Sequence, residues 1–447
     1  MAIQNNSSEK GKNVLVIGLG YVGLTFAIHC CDKEYNVYGI EINETILSSL
    51  NSNKAHFLEP GIDDLISKYK DKSFFCLSSV PENIEFDYII ISVGTPYDKK
   101  NSYVDLKSME AALSSTSNVI SHRTLVVLRS TVSVSTSRNF VYEKLKTFGV
   151  TQPKLAFCPE RTVEGKALIE LNTLPQIIGA LDDPSMEMAE KFFLNISDSI
   201  IKVASLEAAE LVKLLNNTYR DSVFAIANSF NNIAQAFGID GNELIQKSNL
   251  DYPRSSIPSP GFVAGPCLEK DAYILIDNLK DVDSKNLISS MRKMNENLEL
   301  RIAKTICSLY KKRNCNKPIL LSGMAFKGVP ATNDLRGSSS NNILEYLIAQ
   351  GLEGHLHDFE NPASILKEFY NTHSIDSDDF QSDKLLDYEF ILLLNNHPKY
   401  KEKDSYEIIL NLKKSNPNIF IFDAWDSIGG ISAELNGSYK NLGNIFL

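Results

Sequence analysis

Short runs of apolar residues, each closed by small or polar residues, recur through the first third of the chain. The runs occupy positions 13–17, 37–40, 88–92, 124–128 and 155–157. Runs of this length that are rich in Val, Ile and Leu predict strands buried on both faces, as in a parallel sheet. A helical pattern follows the first run, through Leu24, Phe26 and Ile28. This alternation predicts an α/β domain over residues 1–203.

Long helical patterns replace the alternation in the middle of the chain. Positions 205–237 contain neither proline nor glycine and carry apolar residues at helical spacing. A second such pattern runs from about 284 to 312. We expect two long helices in a central domain over residues 204–313, and we expect their apolar stripes to form a homodimer interface.

The last third of the chain, residues 314–447, returns to alternating strand and helix patterns. Strands are expected at positions 318–322, 354–357, 389–394 and 418–422. This part has the pattern of a nucleotide-binding fold but lacks its own Gly-x-Gly-x-x-Gly sequence. The predicted fold class is therefore α/β, with two Rossmann-like doubly wound domains joined by a central helical domain.

A glycine-rich turn, Gly18-x-Gly20-x-x-Gly23, lies between the first strand and the first helix. Glycines at these positions permit a tight turn that places a pyrophosphate on amides at the helix N-terminus. Glu41 follows the second strand, where a carboxylate can accept hydrogen bonds from both ribose hydroxyls and repel a 2′-phosphate. The pattern predicts a site for NAD rather than NADP. The alternative is a surface glutamate beside a turn that has no function.

Polar and small residues also follow the later strands of this domain. They are Gly94-Thr95-Pro96, Arg129-Ser130-Thr131, Cys158-Pro159-Glu160-Arg161 and Glu164-Gly165-Lys166. The carboxyl ends of parallel strands are where such sheets bind ligands. A single Thr or Glu at such a place is more often a helix cap, and the repetition at several strand ends favours a functional site.

The segment 261–271, Gly-Phe-Val-Ala-Gly-Pro-Cys-Leu-Glu-Lys-Asp, places Cys267 in a loop of small residues. Such a loop can approach a ligand closely, and a thiolate needs nearby positive charge or a helix N-terminus. By itself the loop favours a small buried cysteine. Lys213 and Asn217 lie one helical turn apart in the first long helical pattern, and by themselves they favour a solvated helix face.

Composition and charge narrow the function classes. The chain has 447 residues and a net charge of -10, so we expect two or three domains and no binding to nucleic acid or anionic membranes. Its seven cysteines include no Cys-x-x-Cys pair, which argues against a disulfide framework and a structural zinc site; no metal is expected. There is no apolar run of about 20 residues, and positions 1–12 lack a signal-peptide core. We expect a reduced, cytoplasmic protein.

Taken together, these segments resemble the UDP-glucose/GDP-mannose dehydrogenase family along nearly the whole chain. The matching segments occur in the family's order: Gly18-Leu19-Gly20-Tyr21-Val22-Gly23, Glu59-Pro60-Gly61, Gly94-Thr95-Pro96, Ser130-Thr131-Val132, Cys158-Pro159-Glu160-Arg161, Glu210-Leu211-Val212-Lys213 with Asn217, the Cys267 loop with Asp271, and Gly323 to Lys327 with Asp334-x-Arg336. The resemblance implies a four-electron oxidation of a nucleotide-sugar C6 alcohol to a carboxylate, with NAD as cofactor.

The resemblance also implies roles for single residues. Cys267 would form a thiohemiacetal and then a thioester, and Lys213 and Asn217 would stabilise the oxyanion. Asp271 and Thr131 would position a water that Glu164 helps to deprotonate. The residues that the resemblance implies as cofactor contacts are Gly18, Gly20, Tyr21, Val22, Gly23, Glu41, Thr95, Thr131, Lys270 and Arg336. Those that it implies as contacts to the UDP-sugar are Glu160, Arg161, Lys213, Asn217, Ala264, Lys327 and Arg254, the last from the partner subunit.

Departures from the family pattern bear on the substrate. Ala264 replaces a glycine that the family usually has, and its methyl group would narrow the sugar pocket or shift the loop. The Cys-Pro-Glu-Arg segment and Arg254 resemble the branch that acts on UDP-N-acetylhexosamines (UDP-GlcNAc or UDP-ManNAc), which is the substrate class that we predict. Lys270 and Asp271 resemble the UDP-glucose branch, which is the alternative.

Two other classes share some of these features. Two-electron β-hydroxyacid dehydrogenases have the glycine turn and a Lys-x-x-x-Asn helix, but they need neither the cysteine nor a second α/β unit. A non-catalytic nucleotide-sugar binding protein would have no need for Cys267, Lys213 and Asp271, and all three are present.

Overall fold

The strands of the N-terminal part assemble into one large and mostly parallel sheet. The computed structural model describes residues 9–277 and 279–447. The sheet order is β10-β9-β8-β7-β4-β1-β2-β3, and only the β8–β9 pairing is antiparallel in the described part of this sheet. The strands, including the short β5–β6 hairpin outside the sheet, are β1 (Asn13–Ile17), β2 (Asn36–Ile40), β3 (Phe74–Leu77), β4 (Tyr88–Ile91), β5 (Tyr97–Asp98), β6 (Tyr103–Val104), β7 (Leu125–Leu128), β8 (Lys154–Phe157), β9 (Gln176–Ala180) and β10 (Ile200–Lys202).

Helices cover both faces of this sheet, because strands such as β4 and β7 are buried along their whole length. The helices are α1 (Tyr21–Asp32), α2 (Glu44–Asn51), α3 (Ile62–Tyr69), α4 (Lys107–Ser115), α5 (Glu143–Thr147), α6 (Ala167–Thr173) and α7 (Asp183–Ile196). A π-helical segment, Ser137–Tyr142, precedes α5. Strand β1 lies next to β2 on one side and β4 on the other, so the chain changes direction in the sheet between β1 and β4. Such a switch point is where these folds bind nucleotides.

Four helices follow in the middle of the chain: α8 (Leu206–Ala236), α9 (Gly241–Asn249), α10 (Leu268–Asp277) and α11 (Val282–Lys312). The two long ones, α8 and α11, begin and end within a few residues of the predicted helices. Both carry apolar residues at helical spacing, which is the pattern from which they were predicted.

A second sheet occupies the C-terminal part and is parallel throughout, in the order β12-β11-β13-β14-β15. Its strands are β11 (Ile319–Ser322), β12 (Gly354–His357), β13 (Phe390–Leu393), β14 (Phe420–Asp423) and β15 (Tyr439–Asn441). Its helices are α12 (Ser339–Ala349), α13 (Ala363–Tyr370), α14 (Ser382–Leu385), α15 (Lys403–Ser415) and α16 (Ser432–Leu435), with 3-10 turns at Ser377–Asp379, Pro398–Lys401 and Gly429–Ile431.

The fold class predicted from the sequence is confirmed. The described residues form two compact units, one made of residues 9–216 together with 273–277 and 279–280, and the other of 217–272 together with 281–447. The three predicted domain boundaries stay a prediction. No helix in the described ranges is long and apolar enough to cross a membrane.

Candidate active site

The glycine turn between β1 and α1 has the shape that a dinucleotide needs. Gly18 has a φ angle of +87°, and a Cβ there would lie 2.6 Å from the carbonyl oxygen of Ser92. A Cβ at Gly23 would lie 1.8 Å from the carbonyl oxygen of Gly18, so α1 can approach the turn only with glycine at that position. By contrast, a Cβ at Gly20 would meet no protein atom within 4 Å. The space at Gly20 fits a pyrophosphate at the start of α1.

Glu41 follows β2 and is bonded to this turn. Its Oε2 accepts a hydrogen bond of 3.0 Å from Leu19 N, and its Oε1 accepts bonds from Ile42 N and Asn43 N at 2.9 and 3.0 Å. The carboxylate is half-buried, and Oε2, which has a single amide donor, keeps a lone pair available. This arrangement fits acceptance from the ribose hydroxyls of NAD.

The loops after β4 and β7 are tied to each other by side chains. Thr95 donates from Oγ1 to the carbonyl oxygen of Thr131 at 2.5 Å, and Ser130 donates from Oγ to the carbonyl oxygen of Val93 at 2.7 Å. Both loops follow neighbouring strands at the carboxyl edge of the sheet. The structure therefore brings Thr95 and Thr131 together beside the glycine turn, while their contacts with the cofactor stay a prediction.

Glu160 lies after β8 and has a structural partner. Its buried carboxylate forms a 2.5 Å ion pair with Arg129, whose guanidinium lies 4.2 Å from the centre of the Phe26 ring. It also accepts from Arg161 N and Thr162 N at 2.8 and 2.9 Å. The Arg129 guanidinium and these amides hold the pKa of Glu160 below its usual range despite burial, which raises it. The carboxylate therefore shapes the end of β8, and its predicted contact with the substrate stays a prediction. Arg161 itself donates to the carbonyl oxygen of Pro175.

Tyr21, the first residue of α1, connects this helix to two distant parts of the chain through its hydroxyl group. Its hydroxyl donates to the carboxylate of Glu59 and accepts a 3.0 Å hydrogen bond from Gly165 N. Burial and the Glu59 carboxylate raise the pKa of Tyr21 above its usual range, so the phenol keeps its proton. Because Gly165 is next to Glu164, the start of α1 is connected to the turn that carries a predicted catalytic residue. No role for Glu59 was predicted from the sequence, because its partners lie far away in the chain.

Lys213 lies on α8, one turn after a buried anchor. Glu210 accepts from Ser135 N and Ser137 N at 2.6 and 2.7 Å, and from Ser137 Oγ at 2.6 Å. The segment 133–137 follows Thr131, so this carboxylate fixes the loop after β7 to the helix that carries Lys213. Burial raises the pKa of Glu210 despite these hydrogen bonds. Lys213 is half-buried, and no hydrogen bond or ion pair of its ammonium occurs with any residue that the structure describes.

In the second compact unit, Asp271 organises the residues around the cysteine loop. It is fully buried, and its Oδ2 accepts a 2.6 Å hydrogen bond from Asn217 Nδ2 while its Oδ1 accepts a 2.8 Å bond from Lys270 Nζ. Cys267 lies just before α10 with an exposed side chain, and its carbonyl oxygen accepts from Asp271 N at 3.0 Å. Cys267, Asn217, Lys270 and Asp271 therefore belong to one cluster, whereas Thr131, Glu164 and Lys213 belong to the first unit.

Asn228 of α8 holds the first residue of this loop. Its side chain donates to Gly261 O and accepts from Gly261 N, both at 3.0 Å, so it replaces a backbone partner for both groups. The same Nδ2 atom lies 3.0 Å from Asn295 Oδ1 on α11. A Cβ at Gly261 would lie 2.5 Å from the Trp425 ring, so no larger residue fits there without a shift.

Arg292 of α11 holds the end of the loop. Its Nη1 donates to Leu268 O at 3.2 Å and to Asp221 Oδ1 at 2.5 Å, and Asn295 Nδ2 donates to the same carboxylate at 2.7 Å. Arg292 and Asp221 are both about 2% exposed at their side chains. Both ends of the loop that carries Cys267 are thus held by buried polar side chains. The contacts of Asn228 and Arg292 with the loop were not predicted, because the sequence around an Arg or Asn in a helical pattern does not indicate a contact with a distant loop.

The turn after β11 contacts the middle of the cysteine loop. Gly265, next to Ala264, donates to Gly337 O at 2.7 Å, and a Cβ on it would lie 2.7 Å from the Phe326 ring. This contact brings Ala264 near the residues that neighbour Lys327 and Arg336. Arg336 is ion-paired with Asp334 at 2.6 Å.

Arg254 is exposed, with its guanidinium 4.6 Å from the centre of the Tyr252 ring. The predicted contacts of these four side chains, Arg254, Ala264, Lys327 and Arg336, with ligands stay predictions.

Comparison with known proteins gives the family. Residues 12–197 match the NAD binding domain of the UDP-glucose/GDP-mannose dehydrogenase family, residues 207–297 its central domain, and residues 320–428 its UDP binding domain. The chain belongs to this family. It is an NAD-dependent nucleotide-sugar dehydrogenase, and the predictions of family, enzyme class and cofactor are confirmed.

The chain is similar to UDP-N-acetyl-D-mannosamine dehydrogenases of archaea. The protein of Methanococcus maripaludis is 30% identical over 80% of this chain and 83% of its own length. The protein of Methanocaldococcus jannaschii is 30% identical over 92% of each chain. Among solved structures, the UDP-D-ManNAc dehydrogenase from Pyrococcus horikoshii superposes with a TM-score of 0.83 at 26% identity, covering 97% of this chain and 100% of that one.

Proposed function

We propose that this dehydrogenase oxidises the C6 hydroxyl of UDP-N-acetyl-D-mannosamine to a carboxylate, with two NAD consumed per sugar. The observation that carries the choice of sugar is the likeness, over 80% of the chain or more, to proteins that are named for that substrate. The cysteine cluster supports the four-electron course, since a two-electron oxidation needs no thiol.

The glycine turn, Glu41 and the two loops that carry Thr95 and Thr131 would hold the cofactor. When bound there, NAD would supply the hydride acceptor for both oxidations. Gly20 leaves room for the pyrophosphate, and Glu41 accepts from the ribose while repelling a 2′-phosphate.

Cys267 captures the aldehyde that the first oxidation gives. Its sulfur forms a bond to C6 as the C=O π bond opens, and a proton is taken up by the C6 oxygen in place of the thiol proton, so that a tetrahedral thiohemiacetal results. In the second oxidation this centre loses a hydride from C6 and the proton of its hydroxyl group, and the C=O bond of a thioester forms. Asn217 gives one amide N–H to Asp271 and keeps a second N–H for the C6 oxygen, and Lys213 adds a positive charge.

Hydrolysis of the thioester returns the thiol and releases the acid. Water attacks the carbonyl carbon, the C–S bond breaks, and the sulfur leaves with the electron pair. Asp271 and Thr131 position the water, and Glu164 takes its proton. Lys270 balances the charge of the buried Asp271 at 2.8 Å.

The proposal includes a homodimer in which Arg254 of one subunit reaches the UDP of the other, alongside Lys327. One side of α8 exposes a series of large apolar residues, Leu215, Tyr219, Ile226, Phe230 and Ile233, and Phe237 directly after the helix is exposed as well. Such a stripe on a helix typically packs against another chain. A monomer mass in light scattering at micromolar protein would contradict the dimer. A cytoplasmic location belongs to the same proposal, since a thiol nucleophile needs a reducing compartment.

The test is the yield of NADH per mole of sugar, with UDP-ManNAc, UDP-GlcNAc and UDP-glucose offered separately. We expect two NADH per UDP-ManNAc and far slower turnover of the other two. One NADH per sugar would overturn the covalent course, and two NADH with UDP-glucose alone would assign the enzyme to the alternative substrate.

Replacing the thiol tests the mechanism directly. Cys267→Ser should abolish net acid formation, at least a thousandfold, and leave NADH binding nearly unchanged, because the hydroxyl is a far weaker nucleophile. Cys315→Ser, at a half-buried cysteine outside the cluster, is the matched control and should keep full turnover. Full turnover of the Cys267→Ser variant would contradict the proposed mechanism.

A further inference from the structure

Glu59 is a buried carboxylate that the chemistry described so far does not use. It lies between α2 and α3 and is 5% exposed. Its Oε2 accepts from the Tyr21 hydroxyl and from Gly165 N, the latter at 2.8 Å, and its Oε1 accepts from Leu168 N at 3.2 Å. Glu59 has three hydrogen-bond donors but no cation as a partner within the described ranges, and such a buried carboxylate is costly to desolvate, so its hydrogen bonds must hold something in place.

What these bonds hold is the turn that carries Glu164. Gly165 has a φ angle of +88°, and the turn is closed by a 3.0 Å bond from Lys166 N to Val163 O. On the other side of Glu164, Val163 N donates to Glu170 Oε2 at 2.7 Å. The backbone is therefore fixed by a carboxylate on each side of Glu164, whose own side chain is half-buried.

Tyr21 connects the same turn to the cofactor site. It is the first residue of α1, directly after Gly20, and its hydroxyl contacts both Glu59 and Gly165 N. A displacement of Glu59 would thus move the Glu164 turn relative to the start of α1.

We propose that Glu59, together with Tyr21, is a positioning residue for thioester hydrolysis: it holds Glu164 where that carboxylate can take the proton of the attacking water. This inference rests on the proposed function. It assigns Glu59 to the last step only, in which no hydride moves and a proton passes from water to Glu164 while the thiolate leaves. Misplacement of a catalytic group by about 1 Å can cost about a hundredfold in rate.

The experiment is rapid-mixing kinetics on Glu59→Gln with UDP-ManNAc and saturating NAD. The amide keeps the size of the side chain but has only one acceptor oxygen for the three donors. We expect a burst of two NADH per active site at nearly the wild-type rate, followed by a steady state that is 10- to 100-fold slower. Intact-protein mass spectrometry should show the acyl adduct on Cys267 in this variant.

Tyr21→Phe is the second variant, because it removes one hydroxyl and keeps the ring that packs 4.6 Å from Phe57. It should slow the steady state several-fold, with the same burst. Glu187→Gln, at an exposed position of α7, is the matched control and should show wild-type kinetics.

Two results would overturn the inference. One is an unchanged steady state in Glu59→Gln. The other is a burst and a steady state slowed by the same factor without an adduct, since that pattern means a general loss of structure. Failure of the proposed function is recognised separately, because the wild-type enzyme would then yield fewer than two NADH per sugar.

Discussion

In both sheets the first strand is followed directly by a glycine with a positive φ angle, Gly18 at +87° and Gly323 at +90°. Gly18 N donates to Ile40 O and Gly323 N to His357 O, each at 2.9 Å, so the turn starts in the same way beside the second strand. A Cβ at Gly323 would lie 2.7 Å from the side chain of Asn395, as one at Gly18 would meet Ser92. The geometry of the switch point is therefore common to both sheets.

The carboxylate that follows the second strand differs in its surroundings. Glu41 is half-buried, and two of its three amide donors are exposed. Asp358 follows β12 at the corresponding place and is 1% exposed. Its Oδ2 accepts from Ala325 N at 2.9 Å, and its Oδ1 accepts from the backbone amides of residues 360 and 361. Burial raises the pKa of Asp358 above its usual value. One carboxylate can still reach a ligand, and the other is part of the core.

The turns diverge after the first glycine as well. In the first sheet α1 begins directly after Gly20, whereas in the second a long segment separates Gly323 from α12 at Ser339. Within that segment a Cβ at Gly328 would lie 2.1 Å from the backbone nitrogen of His397, so the chain fills the space itself. Lys327 then supplies a positive charge that the first turn lacks.

These differences indicate how the same architecture can bind two ligands, NAD in the first sheet and UDP in the second. The first sheet offers helix amides and a carboxylate, which suit the pyrophosphate and ribose of a dinucleotide. The second has no helix start at the turn, and Lys327 is its proposed source of positive charge for a phosphate. In the second sheet the carboxylate after β12, Asp358, holds the loops after β11 and β12 through hydrogen bonds to their amides.

The largest effect on this comparison is expected from Asp358→Ala. It leaves the buried amides of Ala325 and residue 361 without an acceptor, so the free energy of unfolding should fall by about 3 kcal/mol. Trp425 is the only tryptophan of the chain and lies two residues after the end of β14, so its fluorescence in urea reports on this sheet. Glu41→Ala is the matched control and should move the midpoint little. Equal shifts of the urea midpoint in both variants would contradict the proposed difference between the two carboxylates.

The second effect is on UDP affinity. Lys327→Gln removes the charge proposed to contact the pyrophosphate, and the Kd for UDP should rise about 30-fold, which corresponds to about 2 kcal/mol. Titration calorimetry with UDP measures it, while the affinity for NADH should not change. Lys367→Gln, at an exposed position on α13, is the control. A Kd equal to that of the control would remove Lys327 from the site.

The sequence patterns predicted most of the framework that these experiments address. The strand from Asn13 to Ile17, the glycine turn and the end of β2 before Glu41 were all found from local patterns, because apolar runs and glycine spacing are local signals. The strands β3, β9, β10 and β15 were not predicted, and β10 has only three residues and is mostly exposed. The antiparallel pairing of β9 with β8 was not predicted either, because pairing direction leaves no mark in a short apolar run.

The supports of the candidate site could not be predicted in the same way. Glu59 bonds Gly165, and Asn228 bonds Gly261, across long stretches of chain. Which buried polar side chain meets which backbone amide depends on how loops pack in three dimensions. The cluster of Asn217 and Asp271 was named only through the family resemblance, and their 2.6 Å contact came from the structure.

The smallest effect is expected for the carboxylate of the first sheet. Glu41→Ala should raise the KM for NAD about tenfold and lower kcat less, because it removes ribose contacts that exist before the reaction starts. Stability should change by less than about 1 kcal/mol, since the amides of Ile42 and Asn43 are exposed and can bond water instead.

Glu41→Gln separates the two parts of this effect. It keeps an acceptor for Leu19 N but loses the charge, so the KM for NAD should rise less than in Glu41→Ala, while use of NADP should improve in both variants. An unchanged KM in Glu41→Ala would mean that another residue recognises the ribose. The carboxylates after β2 and β12 would then both serve only the fold, and the contrast between the two sheets would rest on Lys327 and the start of α1.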